Sequence, residues 1–461
     1  MRPLFRFSCV AALAVAASSS VHAQPAPAEP PADAGSGAAA PALPTPAPSA
    51  EPAQPAAAAE PAQPAAAAEP APPPRAEPRA PAFVLPPFQI HGFVSEGGFV
   101  STANDYIGAS SQGSVEFFEA GLNVQADVAD RLRAGIQIFG RDVGQFRDLP
   151  PRIDWAYLDY HWRDWLGLRA GIIKMPYGLY NEYADIDSAR TAILMPQSVY
   201  PLRDRSALLA ETGFSVYGHK RLGEGAGALD YQAWLGTLNV PANALEVVNA
   251  TLDGIDTKYV TGAQLFWRAP LEGLRVGGTW LRTSIDFKLR LDPATTSALI
   301  MAGLVPMDYD GKLVISQRPD SLAIASAEYT RDNWLFAAEY ARWYTRQIST
   351  LPDLLPTQNT KNERFYALAS HRFTPEWELG GYYSVMFADA DDRSGDNSKF
   401  AKPYLAWQRD AAATLRFDVN EHWLWKLEAH FIDGTADLFA SQNANPERYW
   451  GLFLFKTTVT F

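Results

Sequence analysis

From Phe88 to Phe461 the chain repeats one pattern: segments of about 10–14 residues alternate in polarity, and the links between them are by turns tiny and long. In Leu132–Arg141, Leu132, Ala134, Ile136 and Ile138 share one face, while Arg133, Gln137 and Arg141 share the other. Trp155–Trp162 sets Ala156, Leu158, Tyr160 and Trp162 against Tyr157, Asp159 and His161. Trp423–Phe431 sets Trp423, Trp425, Leu427, Ala429 and Phe431 against Lys426, Glu428 and His430. A period of two is the signature of a strand. The tiny links are 128–131, 163–165, 222–227, 270–273, 331–333, 374–376 and 419–421. The long ones lie near 102–113, 142–151, 176–210, 239–256, 289–319, 346–361, 390–400 and 434–448. Seven short and eight long links join sixteen strands. An even count returns both termini to one side, with tight turns there and loops opposite, as in an outer-membrane barrel.

A soluble sandwich also alternates, but it buries its apolar face between two sheets. Here charges recur in mid-strand on the second face, which a closed sheet with a polar lumen explains. Strand edges are intolerable in hydrocarbon, so the expected fold is all-β, a transmembrane antiparallel β-barrel of about sixteen strands. No stretch after the leader is apolar for the length a spanning helix requires. Aromatics beside the links, namely Trp162, Trp165, Trp267, Trp334, Tyr340, Trp343, Trp407, Trp423, Trp425 and Trp450, predict girdles at headgroup level.

The first 87 residues are of another kind. Arg2 and Arg6, the apolar run Cys9–Ala17 and the small residues of Val21-His22-Ala23 predict a signal peptide over 1–23. Residues 24–87 are Ala/Pro-rich and carry the tandem nonapeptides Glu51–Ala59 and Glu60–Ala68. Such a stretch buries no apolar face and proline blocks both helix and ladder, so a disordered periplasmic tether is expected, with peptidoglycan as a candidate contact. The barrel then occupies 88–461.

The chain also resembles a family. Its end, Lys456–Phe461 (KTTVTF), looks like the C-terminal signal that outer-membrane barrels present to their assembly machinery, with Phe461 as the recognised residue. Gln264–Pro270 running into Gly273–Gly277, and Leu168–Gly178 (LRAGIIKMPYG), resemble segments of Gram-negative porins. Asn181–Pro201 is similar to porin-like proteins of proteobacteria, with the phosphate-selective porins as more distant kin. The resemblance implies a diffusion channel for small hydrophilic solutes or ions in the outer membrane, surrounded by lipid and lipopolysaccharide, a homotrimer, and a third long loop folded inward. It covers 88–461 and leaves the tether aside.

In this chain that loop is Pro176–Ala210. The candidate constriction residues are Lys174, Tyr177, Glu182, Asp185, Asp187, Arg190, Arg203 and Arg205. Acids facing bases across a narrow passage would set up a transverse field that sorts solutes by charge. The candidate pore wall is Arg133, Gln137, Arg141, Tyr157, Asp159, Arg169, Lys426 and Glu428. The whole chain has 39 basic and 51 acidic side chains, and four and six of these precede residue 85, so the barrel keeps an acidic excess of ten. That excess argues against nucleic acid as a partner, and it departs from the basic pores of the phosphate-selective relatives. No enzyme, cofactor or metal is expected: His91, His161, His219, His371, His422 and His430 are scattered, and no HExxH or phosphate-binding glycine loop occurs. His430 and Glu428 share a face as expected pore lining. The alternative is a barrel that anchors or adheres, linking outer membrane and cell wall without transport.

Overall fold

The computed structural model describes residues 86–240, 249–397 and 400–461. The expected leader and nearly all of the expected tether lie outside the described residues. The sixteen strands are β1 (Phe88–Ser101), β2 (Ser114–Ala129), β3 (Leu132–Val143), β4 (Phe146–Arg163), β5 (Leu166–Lys174), β6 (Ala210–Arg221), β7 (Ala228–Leu238), β8 (Ala250–Arg268), β9 (Leu274–Leu291), β10 (Lys312–Arg331), β11 (Trp334–Ser349), β12 (Gln358–Arg372), β13 (Trp377–Phe387), β14 (Trp407–Asp418), β15 (Trp423–Gly434) and β16 (Tyr449–Thr460). Each pairs antiparallel with the next, and β1 pairs with β16, so the sheet closes on itself.

Closure is completed by the last residue. The Phe461 N–H donates to the Gly92 carbonyl at 3.0 Å, and the Gly92 N–H donates to the Phe461 carbonyl at 2.9 Å. Both termini of the barrel therefore sit at the end that carries the short turns. We expect Phe461→Ala to lower the heat-modifiable band recovered from outer-membrane fractions while export continues. An undiminished band would show that Phe461 has no part in assembly.

The long links are tighter than the pattern suggests. The stretch expected as a loop over 142–151 is strand on both sides of a turn at Gly144 and Gln145, because β4 begins at Phe146. Register shifts in the β3–β4 ladder let the strands continue where polarity alternation lapses. Likewise β8 starts at Ala250, inside the expected loop 239–256, and β9 runs to Leu291 before a loop that holds the helix Pro293–Met301.

The outer face carries Leu122, Ile136, Leu158, Leu168, Phe214, Leu235, Leu265, Leu427 and Phe453, all exposed. Trp162, Trp165, Trp267, Trp334, Tyr340 and Trp423 are also exposed and join this wall. Trp343, Trp407 and Trp450 do not. They are buried on the lumen side, which corrects their assignment to a girdle. Position beside a link says nothing about which of two faces a side chain takes.

On β9 the sense of the alternation inverts. Below Trp280 the outer face is apolar. Above it the outward positions are Arg282, Ser284, Asp286, Lys288 and Arg290, and the inward ones include Leu281, Ile285, Phe287, Leu289 and Leu291. Leu289 and Leu291 join a cluster with Leu299, Val305, Leu313, Ile315 and Leu355, whereas Ile285 and Phe287 pack with Met175, Leu238 and Val260. An outer face that turns polar has left hydrocarbon, so this inversion marks the edge of the apolar band on the long-loop side.

Candidate functional site

The chain leaves the wall after Lys174 and returns at Ala210, and Lys174 and Ala210 face each other in the β5–β6 ladder. Gly178 permits the departure: its φ is +61°, and a Cβ there would meet the Tyr200 hydroxyl and a Glu339 carboxylate oxygen. Pro176, Pro196 and Pro201 stiffen the rest of the loop. The segment is folded inside the barrel, where Met175, Tyr177, Ile193, Leu194 and Val199 are all buried.

Three anchors hold it to the wall. The first is Glu339 on β11, which accepts from the Leu179 N–H at 2.9 Å, from Tyr366 at 2.8 Å and from Ser326 at 2.5 Å, and also from Tyr200. The second is Glu428 on β15, which accepts from the N–H groups of Ile193 (2.7 Å) and Leu194 (2.8 Å) and from Thr414 (2.5 Å). His430 bridges Glu428 to Asp410, with 3.0 Å on each side. The third is Asp187 of the loop, which receives Lys426 at 3.0 Å, Lys456 at 3.2 Å and Thr458 at 2.8 Å. Lys426 also donates to the carbonyls of Asp187 and Arg190 at 2.8 Å. Burial pushes the Asp187 carboxyl up, but Lys426, Lys456 and Arg190 outweigh it and hold it well below the usual carboxylate range.

Further bonds complete the attachment. Gln264 on β8 donates to the carbonyls of Pro176 and Gly178 at 2.9 Å, and Thr279 on β9 accepts from the Gly178 N–H at 3.2 Å. Tyr180 donates to Glu328 on β10 at 2.7 Å, and Arg364 on β12 donates to the Ser198 carbonyl at 2.9 Å. Thr191 donates to Glu378 on β13, and Arg416 on β14 donates to the Ser188 carbonyl at 2.7 Å. With Arg205 on Asp154 of β4 at 3.2 Å, the loop is hydrogen-bonded to β4 and to every strand from β8 to β16. It bridges the lumen from wall to wall.

This geometry corrects the expected charge arrangement. Arg190, Arg203 and Arg205 do not face Glu182, Asp185 and Asp187 across an open passage. Arg205 binds Asp185 directly at 2.5 Å, Lys174 binds the same carboxylate at 3.0 Å, Arg190 lies 3.5 Å from Asp187, and Arg203 pairs with Asp204 and Asp437 at 3.2 Å each. Asp185 is pushed up by burial and pulled down further by Arg205 and Lys174, so it lies below the ordinary range. In a narrow, dry interior a bare charge is costly, so acids and bases of one loop pair with each other. Lys426 and Glu428 are likewise no lining of an open pore: they are buried and hold the loop. His430 is buried with them.

Apart from Arg141, which sits at the long-loop end of β3, the other candidates lie nearer the short-turn end. Arg169 pairs with Asp159 at 2.7 Å, and Tyr217 donates to the same carboxylate at 2.5 Å. Gln137 donates to Asp154 at 3.1 Å, and Tyr157 stacks on Trp155 with centroids 5.3 Å apart. Arg133 is exposed and bound to Asp127 at 2.9 Å, whereas Arg141 is buried with its guanidinium 5.9 Å from the Phe146 ring. A cavity of about 620 Å³ lies beneath the loop, lined by Asn123, Gln125, Trp155, Tyr157, Arg169, Lys174, Glu182 and Tyr183, with His91 and His422 at its rim. Burial raises the Glu182 carboxyl against the pull of Arg169 and Lys174. Two smaller voids against the loop, about 80 and 60 Å³, are lined largely by buried side chains. Sequence reasoning missed Glu339, Glu378 and Lys456 as loop anchors, and Asp410 as the partner of His430 behind Glu428. Their only signal was a charge on the inward face of a strand, shared with many others.

No family model and no curated protein matches the chain. Among solved structures its fold is similar to OmpT, an outer membrane protein of Vibrio cholerae, with a TM-score of 0.51 at 12% identity over 81% of this chain and 97% of that one. It is equally similar to Salmonella typhi OmpF in complex with daunomycin, with a TM-score of 0.51, 12% identity and the same coverage.

Proposed function

We propose that the chain is a porin-like channel of the Gram-negative outer membrane for small hydrophilic solutes or ions, constricted by residues 176–210. The observation that carries this reading is a closed sixteen-strand barrel whose inner wall binds a stiff, charge-bearing loop. A barrel of this strand number is wide enough for an aqueous channel, and the loop decides how much of it stays open. The N-terminal tether would lie in the periplasm, on the side of the short turns. No catalytic role is proposed for any residue.

The test is single-channel recording of the full chain in planar bilayers. Discrete steps support a channel. Silence in bilayers, with normal heat-modifiable migration, favours the second reading, an anchor or adhesin. The wall-to-wall packing of the loop is the observation that keeps that second reading in play. A homotrimer, bounded by lipid and lipopolysaccharide, is the proposed assembly, since closed symmetric association is the common arrangement of such chains. Native mass spectrometry in mild detergent should give three copies, and monomer alone would remove the trimer.

A further inference from the structure

The outward face just above the apolar edge holds more base than acid. Among the described residues its acids are committed: Asp253 to Arg290 at 2.9 Å, Asp256 to Lys288 at 2.6 Å, Asp286 to Arg318 at 2.5 Å and Asp391 to Lys361 at 3.0 Å. Glu363 stands across from Arg342 in the β11–β12 ladder, but it is bound by Arg393 at 2.5 Å and by the Tyr340 hydroxyl. Three exposed guanidiniums, Arg282, Arg342 and Arg346, have no hydrogen bond or ion pair among the described residues.

Their placement is ordered. Arg282 sits opposite Ser321, and Ser321 opposite Tyr344, so Arg282 and Tyr344 share a row two strand spacings apart, about 10 Å. Arg342 and Arg346 flank Tyr344 on β11, one row below and one above. Ser321 and Ala323 lie between on β10, leaving a shallow floor of small side chains. Trp280 and Tyr340, both exposed, mark the top of the apolar wall directly below.

We propose that Arg282, Arg342 and Arg346 form a site for the phosphate group of an anionic lipid headgroup in the outer leaflet. Guanidinium forks match phosphate oxygens. A lipid whose acyl chains lie on the apolar wall would carry its phosphate to this height. Trp280, Tyr340 and Tyr344 then pack at the interface where aromatic rings are favoured. The proposal rests on the outer-membrane reading of the barrel, and not on whether the barrel conducts.

Native mass spectrometry of the full chain in mild detergent tests it, with a bisphosphorylated acyl-glucosamine disaccharide and its dephosphorylated analogue as probes. The intact protein should retain the phosphorylated probe and release the other. Arg282→Gln/Arg342→Gln/Arg346→Gln should weaken retention by about 100-fold, from the usual contribution of each basic residue near an anionic surface. Inorganic phosphate in large excess should not displace the probe. Equal retention by the triple variant, equal retention of the analogue, or displacement by inorganic phosphate would each overturn the lipid site. If the triple variant loses heat-modifiable migration, Arg342→Gln alone serves, with a roughly five-fold loss expected and none overturning the proposal. A protein that holds the probe yet gives no current steps would keep this site and sink the channel reading.

Discussion

Deleting Glu182–Pro201 should raise single-channel conductance several-fold while the barrel still folds. The deletion spares Lys174 and Ala210, which already face each other in the β5–β6 ladder, so a short link can rejoin them. The wall closes through β1 and β16 without help from the loop. Removing the segment strips partners from Lys426, Lys456 and Glu428, yet the same act admits water to the lumen, and water can solvate what it exposes. The cost therefore falls on the dry, packed state and not on the barrel. Conductance steps in planar bilayers and heat-modifiable migration together decide the matter. A deletion that migrates normally and conducts like the intact chain would show that residues 176–210 do not govern passage.

Asp187→Leu should loosen the loop without deleting anything. It leaves the Lys426 ammonium, wholly buried, with carbonyl oxygens and no anion. Stranding a buried charge costs about 3–5 kcal/mol, enough to free this anchor while Glu339 and Glu428 still hold. The expected signs are noisier, larger current steps and faster proteolysis between residues 182 and 190. Lys426→Met added to Asp187→Leu should recover most of the loss, because the pair is then removed together. The pH dependence comes from the direction of the Asp187 shift. A carboxyl held below its unfolded value, about 3.9, stabilises fully above that value and loses this contribution as pH falls beneath it. Closure should thus persist across the neutral range and relax only in strong acid. Asp187→Leu indistinguishable from the intact chain in both current and proteolysis would remove Asp187 as an anchor.

A third substitution shows how the ion pairs redirect an obvious experiment. Arg203→Ala with Arg205→Ala would be a selectivity test if these bases faced an open passage. In the folded chain Arg205 neutralises Asp154 and Asp185, and Arg203 neutralises Asp204 and Asp437. The pair of changes strands buried carboxylates, so the first consequence to measure is a lower thermal unfolding midpoint, before any shift in reversal potential.

The strand count, the closure and the polarity of the two faces were legible because they are local. A period of two is written in every few residues, as in Leu132–Arg141, and an even number of such segments fixes both termini at one end. The identity of the inserted loop came from the resemblance to porins, whose third long loop folds inward; its length and prolines by themselves mark only a long, stiff connection. What the alternation could not give was depth. Arg282 and Arg133 read alike as bases on strands, yet one faces outward above the apolar wall and the other faces inward at the turn end. The inversion on β9, where Leu281, Ile285 and Phe287 turn inward, depends on how far each strand runs past its neighbours, and no residue encodes that alone.

The sequence by itself determined a closed antiparallel barrel, because backbone pairing and side-chain alternation are set by near neighbours along the chain, while the entry of residues 176–210 was implied by the resemblance to porins alone. Only the tertiary structure decided what that segment does to the lumen. Asp187 meets Lys426 and Lys456 from more than 230 positions away, and Glu339 gathers Leu179, Tyr200 and Tyr366 from three separate stretches. A charge that reads as pore lining becomes a buried anchor when a partner of opposite sign arrives across the barrel, and that arrival is a property of packing in three dimensions.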